Sequence, residues 1–294
     1  MKHFCTLILF LCGTFIFAKN MEFTGSMYLA PASECNKNIY NTLKNGQSQQ
    51  LFTAKIIGFS GVSSGCSLIN HFGFQKTGFS FKTTQNTRKN EKKIFRITID
   101  FDWTLLSGGP FKASEKESFF EGTVVSCTRS LRPETFTPLG INMAKDAKVI
   151  YIPTLQFSKL PATSASIFQR SSKWEVTVKI TEPGKEPQIV RTIPVYHRGR
   201  FPGTNPAGIN CRMYNYQGIT VMNMYYTHQR GVREDKIPVM EEIALNLCFA
   251  APPKGSVIQL ADLTSCCFAE NAAFSKFPAD GGKQIRYQVF LTVK

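Results

Sequence analysis

The chain has 294 residues, of which 43% are hydrophobic and 19% are charged, and its formal net charge is +15 at pH 7. This apolar fraction is too high for a disordered chain, and the sequence has neither the G-X-Y repeat of collagen nor the sustained heptads of a coiled coil. The excess of basic residues favours a polyanionic partner but does not specify a fold.

The amino-terminal segment, residues 1–18, has the pattern of a secretory signal peptide. Lys2 precedes the apolar run 4–17, which ends in Ala18 before the polar Lys19. The run is shorter than the ~20 residues needed to span a bilayer, and a small residue at its end suits cleavage. No later stretch approaches transmembrane length. We therefore expect an exported protein that is periplasmic, bound to the cell surface or secreted.

The cysteines that follow the signal peptide form two groups, separated by a stretch without cysteine from 128 to 210. An oxidising compartment favours disulfides, which would each stabilise the fold by about 2–4 kcal/mol. Adjacent cysteines rarely bond to each other because their Cβ vectors diverge. We therefore expect Cys266 and Cys267 to pair with Cys211 and Cys248, in an order that the sequence leaves open. In the amino-terminal group one thiol is left over among Cys35, Cys66 and Cys127.

Short runs of alternating apolar and polar residues, rich in β-branched and aromatic side chains, dominate the rest of the chain. In 94–103, for example, Ile97 and Ile99 fall on one face of a strand and Arg96 falls on the other. Turn sequences such as 182–184 separate these runs, which favours a sandwich or barrel over βαβ units. The pattern predicts strands at 51–59, 94–103, 118–127, 147–152, 174–181, 188–197, 218–226 and 284–293.

Helical periodicity is sparse in this sequence. Apolar residues recur at helical spacing in 238–248, which Pro238 opens and Pro252 follows. A second helix is predicted at 260–274 and a weaker one near 34–44.

The segment 153–166, which contains proline, serine and threonine, is the best candidate for a linker. It places a domain boundary near residue 158, between an amino-terminal β-rich domain (19–157) and a carboxy-terminal β-rich domain with the short helices (158–294). The expected fold class is mainly β, with two antiparallel β-sandwich-like domains stapled by disulfides. One continuous β domain is the alternative.

The sequence Gly61-Val62-Ser63-Ser64-Gly65 matches the G-x-S-x-G pattern of a hydrolase nucleophile elbow. An elbow opens a helix, whereas 66–73 reads as loop and strand, so a tight turn explains the match better. No pattern for nucleotide, zinc or calcium binding is present. The sequence therefore assigns no catalytic residue, no metal ligand and no cofactor, and an exported hydrolase stays an alternative.

Clusters of basic residues beside aromatic ones are the strongest functional signal. Lys92 and Lys93 lie in a predicted hairpin loop, and the other basic clusters flank loops of the carboxy-terminal half. Basic loops beside aromatic rings can hold an anionic polymer by charge and stacking, although a solubilising surface would show the same clusters. The candidate ligand-binding residues are Lys92, Lys93, Arg198, Arg200, Arg230, Arg233 and Tyr225.

Together these features predict an exported binding or structural protein of an envelope or extracellular surface. The expected partner is an anionic polymer or surface, such as an acidic glycan, lipopolysaccharide or an anionic membrane. Genomic nucleic acid is not expected outside the cell. A subunit of a self-assembling surface structure is a further alternative, because strand edges and the left-over thiol would join copies.

Overall fold

A computed structural model describes residues 20–31, 39–45, 48–59, 62–70, 75–86, 96–107, 120–131, 134–138, 149–160, 174–196, 208–216, 219–232, 238–266 and 284–294. The strands are β1 (Asn20–Pro31), β2 (Gln49–Phe59), β3 (Ser63–Asn70), β4 (Gln75–Asn86), β5 (Arg96–Ser107), β6 (Phe120–Leu131), β7 (Thr137–Pro138), β8 (Val149–Lys159), β9 (Trp174–Thr181), β10 (Gln188–Thr192), β11 (Val195–Tyr196), β12 (Ile209–Tyr216), β13 (Ile219–Val232), β14 (Pro238–Ala250), β15 (Val257–Cys266) and β16 (Gln284–Val293), and a helix α1 (Ile39–Lys44) follows β1.

Alternation of apolar and polar residues decides which face each strand buries. In β9, Trp174, Val176, Val178 and Ile180 are buried, while the residues between them are half-buried. This strand coincides with the prediction for 174–181, and the other predicted strands all overlap observed ones. The mainly β fold class predicted from the sequence is therefore confirmed.

The strands form two eight-stranded sheets. Sheet A has the order β10-β9-β16-β15-β2-β1-β8-β7, and sheet B has the order β11-β12-β13-β14-β3-β4-β5-β6. Every described pairing is antiparallel except that of β11 with β12, which is parallel. The inner faces of the sheets meet in a shared hydrophobic core, to which sheet A contributes Phe52 and Val178 and sheet B contributes Met222 and Leu245.

Strands from both sides of the predicted domain boundary share each sheet. In sheet A, β2 pairs with β15, where Ile56 lies opposite Ala261. In sheet B, β3 pairs with β14, where Cys66 lies opposite Leu245. Within each sheet the four strands of each half lie next to one another, and this single pairing joins the two groups of four. Core residues of both halves belong to one shared cluster. Residues 153–159 of the predicted linker lie in β8, and residues 161–166 lie outside the described residues.

Two predicted helices are strands, and those two predictions are wrong. Residues 238–248 lie in β14, and the described part of 260–274 lies in β15. The spacing of apolar residues in 238–248 fits both periods, but the buried Ile243, Leu245 and Leu247 follow the period of two. Hydrogen bonds from β13 and β3 on either side then hold β14 extended.

The helix predicted near 34–44 is present at its carboxyl end as α1. Ile39 and Leu43, one turn apart, pack against Ala30 and Ile152 on the outer face of sheet A. No helix in the described ranges has the length and apolar character needed to cross a bilayer.

Three of the described cysteines lie outside any disulfide bond. Cys66, Cys211 and Cys248 are buried and form no disulfide. The prediction that Cys211 and Cys248 pair with Cys266 and Cys267 is therefore wrong. Cys266 ends β15 in the other sheet, and Cys267 lies outside the described residues. Cys66 and Cys211 pack in the shared core as small apolar residues, and Cys248 packs in a separate apolar cluster with Phe59 and Val221.

Strand geometry explains why Cys211 and Cys248 do not meet. Cys211 lies opposite Met224 and Cys248 lies opposite Val221, on the two neighbours of β13. Two strand spacings and three residues of offset separate their Cα atoms by about 14 Å. A disulfide joins Cα atoms less than about 7 Å apart. Cys35 lies outside the described residues, so a bond from it stays a prediction.

Candidate binding face

The outer face of sheet B carries two exposed tyrosines. In β12 and β13 the residues that face the core are buried, among them Cys211 and Met224, and the residues between them face outward. Tyr214 is 42% exposed and Tyr225 is 52% exposed. Exposed aromatic side chains beside polar residues on a strand face are candidates for ligand contact, because burying them against a ligand is favourable.

Strand register arranges this face in three rows. Tyr225 lies between Asn210 and Ala244, Asn223 lies between Arg212 and Asn246, and Val221 lies between Tyr214 and Cys248. We call six residues of these rows the tyrosine face: Asn210, Arg212, Tyr214, Asn223, Tyr225 and Asn246.

The two tyrosines lie at diagonal corners of this face. Tyr214 lies one strand away from Tyr225 and four residues further along the strand direction. Their Cα atoms are therefore about 14 Å apart. On one side, the neighbours of Tyr225 across the sheet are small: Ala244 on β14 and, one strand further, Ser67 on β3. A ligand that contacts both rings must therefore be extended, and it passes over the row of Arg212 and Asn223.

Arg212 gives the tyrosine face its positive charge. It is half-buried in the middle row, beside the amide side chains of Asn223 and Asn246. A guanidinium binds a carboxylate or sulfate through two parallel hydrogen bonds. Glu242, on β14, lies one row beyond Tyr225 and outside this face.

The residues predicted from the sequence are only partly described. Tyr225 is exposed on β13, and Arg230 lies at a β-bulge, since Gln229 pairs with Met240 and Gly231 pairs with Val239. The basic residues outside the described ranges are Lys92, Lys93, Arg198, Arg200 and Arg233.

Sequence reasoning missed Arg212 and the asparagines of the tyrosine face. The alternation in 209–214 places Arg212 and Tyr214 on one side of a strand, so this pair could have been predicted from the sequence. Asn223 and Asn246 lie beside Arg212 only because of the register between β12, β13 and β14, which the sequence does not reveal.

The two serines of the G-x-S-x-G motif lie in a strand and do not form a nucleophile elbow. Ser63 is exposed at the start of β3, which is a strand and not a helix. Ser64 is buried, and its Oγ accepts a hydrogen bond of 3.1 Å from the backbone N–H of Cys248. His228 lies opposite Glu241 of β14, seven residues before Cys248. This spacing along the strand separates His228 from Ser64 by about 24 Å.

A shallow groove of about 540 Å³ lies on the outer face of sheet A. Arg286 donates two hydrogen bonds to Asp262, from Nε at 2.8 Å and Nη2 at 2.6 Å, and Lys55 pairs with Glu22 at 2.9 Å. Carboxylates therefore engage both cations of this groove. Its lining residues are Thr24, Thr53, Lys55, Thr181, Pro183, Asp262, Thr264 and Arg286.

The chain matches no protein-family model and no curated protein. Among solved structures it is similar to the "InvG secretin domain beta-barrel from Salmonella SPI-1 injectisome NC-base", over 100% of this chain and 67% of that chain. The sequence identity is 9% and the TM-score is 0.18. At these values the likeness carries no argument about fold or function.

Proposed function

We propose that the chain is an exported binding protein of an envelope or extracellular surface, and that the tyrosine face holds an acidic glycan. The observation that carries the proposal is the placement of Tyr214 and Tyr225 on either side of Arg212 on an exposed strand face. Stacking on the rings and charge pairing at the guanidinium are the two contacts that an acidic sugar chain requires.

A glycan fits this face better than a membrane does. A lipid surface selects clustered apolar side chains that insert together, whereas amide and guanidinium groups separate the two tyrosines. The C–H face of a sugar ring packs against the electron-rich face of an aromatic ring, and its hydroxyls reach the asparagine amides. The net charge of +15 adds long-range attraction to a polyanion.

The test measures binding of the full chain to a hexamer of galacturonic acid and to its methyl-esterified, uncharged twin. Calorimetry is run at about 0.15 M and about 0.5 M salt, because nonspecific charge attraction fades as salt rises. We expect the charged hexamer to bind at both salt concentrations and the esterified hexamer to bind more weakly. Lipopolysaccharide and anionic vesicles are run in parallel.

Variants separate stacking from charge. Replacing Tyr225→Ala is expected to weaken binding of both hexamers about tenfold, the size of one lost stacking contact. Arg212→Gln is expected to remove the preference for the charged hexamer. Tyr40→Ala is the matched control, because Tyr40 is 50% exposed and belongs to α1, which packs against sheet A away from the tyrosine face.

The proposal fails if neither hexamer binds at the lower salt concentration. It also fails if Tyr225→Ala and Tyr40→Ala behave alike. Binding of vesicles alone, with no glycan bound, would replace the glycan with a membrane surface as the partner.

A further inference from the structure

A cluster of polar side chains joins the two sheets inside the core. Its members, which we call the inter-sheet cluster, are Glu182, His228, Glu241 and Tyr287. The hydroxyl of Tyr287, on β16, donates a hydrogen bond to Glu241 Oε2 on β14. His228 lies directly opposite Glu241 in the ladder between β13 and β14. Its Nε2 lies 3.5 Å from Oε1 of Glu182, which follows β9.

Aromatic rings enclose the imidazole of His228. It stacks on Tyr226 with ring centroids 6.3 Å apart, and it meets Tyr287 edge-on at 6.1 Å. His228 is 7% exposed and Glu241 is 1% exposed. A charge in such surroundings is costly unless an opposite charge compensates it. The balance of charge inside the cluster therefore depends on whether His228 is protonated.

Glu182 connects this buried cluster to an exposed turn. It starts the turn between β9 and β10, where the Lys185 amide donates to its carbonyl at 3.2 Å and Lys185 Nζ donates to its Oε2 at 2.8 Å. Burial raises the pKa of Glu182, but Lys185 and then His228 outweigh this and hold the pKa below its ordinary value. Glu182 is therefore ionised at neutral pH and available to an imidazolium.

We propose that His228 is a pH-sensitive clasp, which holds the turn between β9 and β10 against sheet B when it is protonated and releases it when it is neutral. Among the described residues, the titratable groups that face it are Glu182 and Lys185 from the turn, Glu241 from β14 and Tyr287 from β16, with Tyr226 on its own strand. An imidazolium is attracted by the negative charge of Glu182, and a neutral imidazole loses that charge attraction.

The pH window follows from these charges. Above the pKa of Glu182 and below that of the imidazole, whose ordinary value is about 6.5, the pair carries opposite charges. As pH rises through the imidazole pKa the attraction is lost, and as pH falls through the lowered pKa of Glu182 it is lost again. Thr181 and Pro183 line the groove on sheet A, so release of the turn changes one wall of that groove.

Hydrogen exchange of the full chain at about pH 5.5 and about pH 8 tests the clasp. The readout is the protection of backbone amides in 185–192, corrected for the intrinsic pH dependence of exchange. We expect these amides to lose protection about tenfold at the higher pH, because a neutral imidazole no longer attracts the charge of Glu182. The amides of β14, on the far side of His228, are expected to change little.

Variants decide whether His228 causes this change. His228→Gln is expected to abolish the pH step, and Glu182→Gln, at a partly exposed position that tolerates substitution, is expected to abolish it as well. Glu175→Gln is the matched control, because Glu175 lies on β9 but faces outward and pairs with Lys294. The proposal is overturned if the wild type shows no step, or if the step survives in the Glu182→Gln variant.

Discussion

Tyr287 of sheet A donates a hydrogen bond to Glu241 of sheet B, and both side chains are shielded from solvent. Most of the contacts between the two sheets are apolar and therefore tolerate small shifts. A hydrogen bond between buried groups has a defined length and direction. The pair thus fixes where β16 lies over β14.

Replacing Tyr287→Phe removes the donor to Glu241 Oε2 while it keeps the ring. We expect the free energy of unfolding in urea to fall by about 1–3 kcal/mol, the cost of depriving a buried carboxyl group of a hydrogen bond. Tyr225→Phe, at an exposed position, should change it by less than about 0.5 kcal/mol. Equal free energies of unfolding for the two variants would mean that the hydrogen bond between Tyr287 and Glu241 does not stabilise the fold.

The free cysteines are expected to resist modification in the folded protein. Burial raises the pKa of the Cys211 thiol to about 12, so the reactive thiolate is nearly absent at neutral pH. Iodoacetamide should leave Cys66, Cys211 and Cys248 unmodified in the native state and label all three in denaturant. Peptide mapping by mass spectrometry checks this. Recovery of Cys211 in a disulfide-linked peptide would contradict the structure.

The Asp262–Arg286 pair predicts a pH-dependent contribution to stability. Burial raises the pKa of Asp262, but hydrogen bonds from Arg286 and the charge of Arg286 outweigh it and lower the pKa. The contribution is therefore present above the unfolded pKa of about 3.9 and lost as pH falls through the lowered folded value.

We expect Asp262→Asn to lower the free energy of unfolding by about 0.5–1 kcal/mol at neutral pH, since Arg286 is half-exposed and solvent screens the pair. The difference should disappear in acid. Urea unfolding at both pH values measures it, with Glu186→Gln on the exposed turn as the control. A loss that persists unchanged in acid would rule out the charge pair as its cause.

Two glycines with the same backbone conformation should respond differently to alanine. Gly184 and Gly208 have φ values of 73° and 72°. A Cβ on Gly208 would lie 3.1 Å from the carbonyl oxygen of Thr227, whereas a Cβ on Gly184 would have no atom within 4 Å. Gly184→Ala is expected to cost about 1 kcal/mol of backbone strain and Gly208→Ala about 2 kcal/mol or more. Thermal unfolding compares them, and equal losses would argue against crowding.

The halves 19–158 and 159–294 are not expected to fold separately. Each half contributes four adjacent strands to each sheet, but the two groups pair with each other and share one core cluster. Either fragment alone would therefore expose one strand edge in each sheet, together with core residues such as Leu155 or Leu263. Circular dichroism and urea unfolding should show a cooperative transition for the full chain and for neither fragment. A cooperative transition in one fragment would support the two-domain prediction.

Strand prediction succeeded where one face of a strand meets solvent. Residues 174–181 alternate because the odd-numbered members, such as Thr177, face outward, and the sequence shows that period directly. It failed at 238–250, where Glu241 is buried and Cys248, Phe249 and Ala250 are buried in succession. There the period of two is hidden, and the spacing of the remaining apolar residues imitates a helix.

The candidate site was predictable only in part, for a different reason. Tyr225 could be selected because aromatic residues beside basic ones suit ligand contact. The row of Arg212, Asn223 and Asn246 exists only through strand pairing, and pairing depends on the register of the whole sheet. The same dependence defeated the disulfide prediction, since Cys211 and Cys248 lie in sheet B whereas Cys266 ends β15 in sheet A.

The central positions of β14 and β15 also govern the order of folding. β14 separates β3 from β13, and β15 separates β2 from β16. Contacts between distant parts of a chain form slowly, because a long loop must close before any of them is made. Until residues 238–266 have been synthesised, β2 and β3 each lack one neighbour and present unpaired backbone groups along an edge. Aggregation of a stalled or truncated chain would begin at those two edges.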